Sequence, residues 1–273
     1  MSIRTKTKGV KMKSKVALAV VAVLGIFFVQ PAEANPGKSL VIIDAYFDSK
    51  VSAPNVKCIT LTNQVCTDVI TKPELLQGNK EVEAFTHGNR MVQTAQKQAS
   101  LGSIILLRTS TPSQGKKANI GGTNANQLIS ALQWVNNNSS SVGAVSTSID
   151  IYNKNAKTCA ENVGRADGNS PAHLTILSLI SSLKAKNIPV FAATGNTGTV
   201  ISYPGCITDT VSVGVGSFSD SGVLAPLYSF DVNTDYFASS KIMNFSTSIA
   251  TAAVAAKYVA GGFSTTKVVE INP

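Results

Sequence analysis

The sequence predicts a doubly wound α/β fold, a mostly parallel sheet sandwiched by helices. Three observations carry that expectation. Short, wholly apolar runs recur along the chain, helical patterns lie between them, and the runs lack the polar alternation of a half-exposed sheet. Such runs suit parallel strands covered on both faces, and strand–helix alternation implies βαβ crossovers. Composition agrees: 44% hydrophobic and 14% charged residues over a length of 273 exclude disorder, collagen-like sequence and coiled coil. That length lets one large domain bury a sizeable core.

The chain opens with six bases (Arg4, Lys6, Lys8, Lys11, Lys13, Lys15) and no acid before position 16. Val16–Val29 is then unbroken apolar sequence, followed by Ala32-Glu33-Ala34. Charged start, apolar stretch and small-x-small site are the parts of a secretory signal peptide over residues 1–34. The apolar run falls short of the roughly 20 residues of a spanning helix. Removing this segment takes six bases and one acid from a net charge of +9, leaving +4. A nucleic-acid partner thereby loses its support. The expected location is secreted or periplasmic, with no membrane association after signal removal and one domain over 35–273.

Ser39–Asp44 is the first apolar run, and it ends in an acid. Ser103–Arg108, Gly143–Ser148, Ile188–Ala193 and Thr210–Val215 have the same character. Leu128, Leu132 and Val135 recur at helical spacing. Ser170 precedes Pro171 as cap and first residue of another helix, whose apolar stripe is Ile176, Ile180 and Leu183. His173, in its first turn, is expected on the solvated surface. Thr86-His87-Gly88 is expected to open a helical stretch over Asn89–Ser100. Cys58, Cys66, Cys159 and Cys206 form an even set without C-x-x-C, which favours two disulfides over a metal site.

In a doubly wound sheet, ligands bind beyond the carboxyl ends of the strands. Asp44 and Ala193-Thr194-Gly195-Asn196 stand at such ends, and His87 stands near the start of a helix. The segment Asn244–Ala255 leads hydroxylated residues, Ser248 among them, into an alanine-rich helix. A serine at a helix N-terminus lies beside unpaired backbone N–H groups that can hold an oxyanion. Taken singly, Asp44 reads equally as a turn-capping acid and His87 as a surface residue. Together, an acid, a histidine and a serine are the parts of a nucleophilic relay.

The order Asp44, His87, Asn196, Ser248 resembles the subtilisin-like serine peptidases. Val41–Ala45 resembles that family's strand ending in Asp-Thr-Gly, and Thr86-His87-Gly88 the first part of its His block. Phe191–Asn196 resembles its Ala-Ala-Gly-Asn segment, and Ser246–Thr251 its Gly-Thr-Ser-Met-Ala block. Departures occur at Tyr46, Asn89, Arg90, Ser246, Ala252 and Ala253, and Ser148-Ile149-Asp150-Ile151 replaces the Ser-Leu-Gly-Gly strand beside the first specificity pocket. The resemblance spans about Leu40 to Ala260 and implies a subtilisin-like fold.

It also implies a serine endopeptidase acting on peptide or protein substrates, with Asp44, His87 and Ser248 as triad. Asn196 would be the oxyanion donor, and Ser148, Asp150 and Gly195 would bind substrate. A silent peptide-binding relative and an acyl-transfer enzyme, ligase or esterase, are the alternatives. No cofactor is implied. Structural calcium is common in the family, but Asp48, Asp209, Asp231 and Asp235 form no ligand loop, and no oligomer is read from the sequence. The same fold would bring Cys159 and Cys206 to one rim, pairing them and leaving Cys58 with Cys66. A carboxylate at Asp150 would favour Lys or Arg before the scissile bond. Only residues 35–43 separate the expected cleavage site from Asp44, too few for the family's folding propeptide.

Overall fold

The computed structural model describes residues 37–45, 55–66, 79–109, 124–151, 156–163, 170–196, 201–218, 224–226, 234–239, 246–262 and 268–270. The expected signal peptide, Tyr46, Asn244, Asp48 and Asp231 lie outside these residues. The strands are β1 (Ser39–Asp44), β2 (Val56–Thr60), β3 (Ile104–Arg108), β4 (Val142–Thr147), β5 (Val190–Ala193), β6 (Val211–Phe218), β7 (Leu224–Pro226), β8 (Tyr236–Ser239) and β9 (Val268–Glu270). The helices are α1 (Asn79–Gln98), α2 (Ala125–Asn137), α3 (Pro171–Ala185) and α4 (Thr247–Val259).

One sheet runs β2-β3-β1-β4-β5-β6-β8-β9, with β7 added against β6. Every pairing is parallel except β6–β7. The expected doubly wound, mostly parallel sheet is therefore present. The strand order turns around at β1, which has β3 on one side and β4 on the other. That reversal opens a crevice beyond the strand ends.

Alternation along each strand divides the core in two. In β1, Leu40 and Ile42 join the cluster containing Met91 and Val92 of α1 and Ala252 and Ala256 of α4. Val41 and Ile43 join the opposite cluster, with Leu128 and Leu132 of α2 and Ile176 and Ile180 of α3. By the same two-residue period, Asp44 projects on the α1/α4 face.

Two expectations about helices need correction. His87 does not open α1. The helix begins at Asn79, because Lys80, Glu81, Glu83 and Ala84 are good helix formers and one internal glycine, Gly88, costs only about 1 kcal/mol. Ser170 occupies the cap position of α3, but its side chain accepts no capping bond. It donates instead to Val163 O at 3.1 Å.

Both expected disulfides are present, Cys58–Cys66 and Cys159–Cys206. Their sequence separations of 8 and 47 correspond to about 2.5 and 4 kcal/mol in the chain-entropy account. No helix among the described residues is long and apolar enough to cross a membrane.

Candidate active site

Asp44 ends β1 and is 4% exposed. Its position is held from the neighbouring strand, since Thr109 donates both N–H (2.9 Å) and Oγ1 (3.2 Å) to Asp44 O. The carboxylate is satisfied at both oxygens. Oδ1 accepts from Ala45 N at 2.7 Å, and Oδ2 lies 2.7 Å from His87 Nδ1.

His87 reaches Asp44 because of where it sits on α1. His87, Met91 and Ala95 are four residues apart, and Met91 and Ala95 are buried against the sheet. His87 extends that stripe toward the strand ends, and its side chain keeps 28% exposure. Binding Nδ1 to a carboxylate places the ring proton there and leaves Nε2 as the basic nitrogen.

Ser248 is the second residue of α4 and is 6% exposed. Helix α4 packs on α1 and across β1, β4, β5 and β6. This contact brings the helix against the face that holds Asp44 and His87. The N–H groups of a helix's first turn lack intrahelical acceptors; of those on Thr247, Ser248 and Ile249 two are otherwise engaged, and Ala250 N makes the first intrahelical bond. Thr247 N donates to Asn196 Oδ1 at 3.1 Å, Ile249 N to Ser246 Oγ at 3.4 Å, and Ala250 N to Ser246 O at 3.1 Å. Among the described residues, the Ser248 N–H remains without an acceptor.

Ser246 therefore has a definite role. Where the resembled family has glycine, this chain has a capping serine with φ −95° and ψ 160°. That conformation suits any residue, so its Cβ imposes no strain on the turn.

Asn196 follows β5 through Gly195, whose φ of 98° favours glycine. Its Oδ1 accepts from both Thr247 N (3.1 Å) and Thr247 Oγ1 (3.0 Å). Two donors on one atom identify the oxygen and turn Nδ2 the other way, as a donor to whatever occupies the site. Asn196 is thus fastened to the residue before Ser248. The sequence reading missed this role of Thr247, and it missed Thr109. A Thr directly before the candidate serine was the available signal for Thr247; nothing comparable marked Thr109.

The segment after Asn196 returns beneath the strand ends. Ser202 N donates to Thr194 O at 2.9 Å, and Ile151 N to Tyr203 O at 3.1 Å. A side chain at Gly205 would meet Ala193 O at 2.6 Å, so only glycine permits this approach. His173 is not on the surface, as expected, but 8% exposed, with Nδ1 3.2 Å from the hydroxyl of fully buried Tyr203. Its place three residues before Ile176 and seven before Ile180 was the overlooked signal. Burial lowers the His173 pKa and raises that of Tyr203.

Of the remaining predicted site residues, Ser148 is half-buried and Asp150 exposed just beyond β4. Desolvation raises the Asp150 pKa, and the Ser202 hydroxyl partly counters it. Of the acids weighed for calcium, Asp209 and Asp235 are among the described residues, and both are engaged by other groups. Asp209 binds Lys184 Nζ at 2.7 Å, and Asp235 accepts from Ser212 N and Oγ at 2.8 and 2.9 Å. Among the described residues, no three potential metal-binding acids, histidines or cysteines converge.

No family model matches the sequence, and no curated protein matches it either. Solved structures do. The PatG macrocyclase, solved in complex with a peptide, is 12% identical over 81% of this chain and 74% of that one, with a TM-score of 0.50. The epidermin leader peptide processing serine protease EpiP from Staphylococcus aureus is 17% identical over 84% of this chain and 66% of that one, also at 0.50. A cold-adapted subtilisin-like serine proteinase is 16% identical over 82% and 76%, at 0.48. At these identities the likeness concerns the fold. The chain has the subtilisin-like fold, in a divergent form.

Proposed function

We propose that this chain is an exported serine endopeptidase that hydrolyses peptide bonds. The observation that carries the reading is the 2.7 Å Asp44–His87 bond, on the sheet face against which the first turn of α4, carrying Ser248, packs. Ser248 Oγ attacks the scissile carbonyl while His87 Nε2 takes its proton. Asp44 holds the imidazole in the required tautomer and stabilises its charged form. The Ser248 N–H and Asn196 Nδ2 receive the oxyanion, and His87 returns the proton to the leaving amine. Water then repeats the sequence to release the acyl group. No metal or organic cofactor enters these steps. The basic, apolar and small-residue segments of 1–34 act as an export signal, and two disulfides suit a secreted or periplasmic protein.

Acyl transfer is the second reading, favoured by the likeness to the PatG macrocyclase. The same acyl-enzyme would then pass to a peptide amine rather than to water.

Fluorophosphonates modify a serine only when a base activates it and an oxyanion site is formed. The chain from Asn35, folded with its disulfides, is expected to label at Ser248. Ser248→Ala should abolish both labelling and peptide turnover. Product mass separates the two readings, since cleaved peptides mean hydrolysis and joined ones mean transfer. A folded protein that neither labels nor turns over peptides is a silent relative, and the proposal fails.

A further inference from the structure

Ser246 is where the start of α4 departs from the resembled family, which has glycine at that position. The first turn that follows it supplies the backbone donors nearest the candidate nucleophile. Asn196 Oδ1 takes the Thr247 N–H at 3.1 Å, and the Ser246 hydroxyl oxygen takes the Ile249 N–H at 3.4 Å. Ser246 O accepts the Ala250 N–H at 3.1 Å, and Thr251 Oγ1 donates to Thr247 O at 2.7 Å. Among the described residues, the Ser248 N–H is then the donor of this turn left without an acceptor. Thr247, between the two capped positions, is fully buried, so both caps act on a turn already seated against the sheet.

Glycine at 246 would change this arrangement. Without the hydroxyl, the Ile249 N–H would open beside that of Ser248. Two open donors on successive residues compete for one developing negative charge, and water competes for both. An uncapped first turn also frays more readily, which moves the Ser248 backbone itself.

We propose that Ser246 is a positioning residue for the oxyanion site. Its hydroxyl closes the Ile249 N–H and keeps the Ser248 N–H as the single oxyanion donor of this turn. This rests on the reading of Ser248 as the nucleophile. Ser246 touches no reacting atom and acts through the residues that follow it. Because the oxyanion exists only once the carbonyl has been attacked, the contribution belongs to turnover rather than to ground-state binding.

Glycine and threonine at 246 test this, since the two are similar as helix caps but glycine has no side-chain acceptor. Ser246→Gly should lower kcat about fivefold, the size of one lost capping bond, with KM and Tm nearly unchanged. A peptide boronic acid, whose adduct with serine is tetrahedral, should bind that variant more weakly by the same factor. Ser246→Thr should keep both at the natural level. Amide hydrogen exchange on the whole chain gives a readout independent of turnover. Ile249 should exchange more slowly than Ser248 in the natural protein and in Ser246→Thr, but not in Ser246→Gly. A natural protein that turns over no peptide removes the endopeptidase reading, and the exchange pattern then decides this proposal by itself. An equal or higher kcat in Ser246→Gly, a loss confined to KM, or equal exchange at Ile249 and Ser248 in the natural protein would overturn it.

Discussion

The two faces of the sheet are covered by different kinds of helix. On one face, α2 and α3 pack on each other and on the strands through large aliphatic side chains, among them Leu128, Leu132, Ile176, Ile180 and Leu183. On the other, α4 buries Ala250, Ala252, Ala253, Ala255 and Ala256 with Thr247, Ser248 and Thr251. Alanine adds little apolar area, so the second helix gains less from burial than the first pair. What small side chains provide is close approach across four strands. The first face mainly stabilises the fold, whereas the second positions Ser248, His87 and Asp44.

Substitutions on the two faces should therefore separate activity from stability. The largest expected effect is at Asp44. Asp44→Asn should lower turnover by about 10⁴-fold, the size this change has in other serine triads, because the amide favours the wrong imidazole tautomer. Kinetics beside a thermal melt would check it, and a drop of less than tenfold would remove Asp44 from the relay.

Next comes a paired exchange. Leu132→Ala on the α2 side should cost about 2–5 kcal/mol by leaving a cavity, with kcat per folded molecule unchanged. Ala253→Val on α4 should cost about 1–3 kcal/mol through overpacking and also lower kcat, since the helix start must shift. Denaturant titration and active-site titration together measure both quantities. Equal kcat in the two variants would erase the distinction between the faces.

The smallest effect concerns the α3 side, where His173 is buried beside Tyr203. Burial lowers its pKa below the ordinary 6.5. The unfolded chain then binds the proton more readily, so stability is full above that value and falls as the pH drops through it. Melts between pH 7.5 and 5.5 should show a slope that His173→Gln flattens. An unchanged slope in that variant would mean that His173 does not titrate differently on folding.

How much was legible in the sequence differs between these faces. Apolar runs around Leu40–Ile43 and Ile104–Leu107, and the stripe Leu128–Leu132–Val135, marked strands and helices because burial on both sides leaves a periodic signature. The short strands β2, β7, β8 and β9 escaped notice, since three to five residues with mixed burial carry little periodic signal. At the candidate site, Asp44, His87, Asn196 and Ser248 were found as residue types in an order that resembled a known family. Their individual sequence contexts did not distinguish them from caps and surface groups.

Composition and local pattern by themselves determined the sheet class and the direction of its strands, because these depend on periodicity, while the candidate residues came from an order of residue types that resembles a known family. Tertiary structure alone decided the rest. Only the packing of α1 on β1 turned His87 toward Asp44, and only the meeting of β5 with α4 set Asn196 Oδ1 on Thr247. His173 likewise became a core residue through Tyr203, thirty positions away. Such contacts join segments far apart in the chain, and no local pattern records a partner that arrives only when the sheet is assembled.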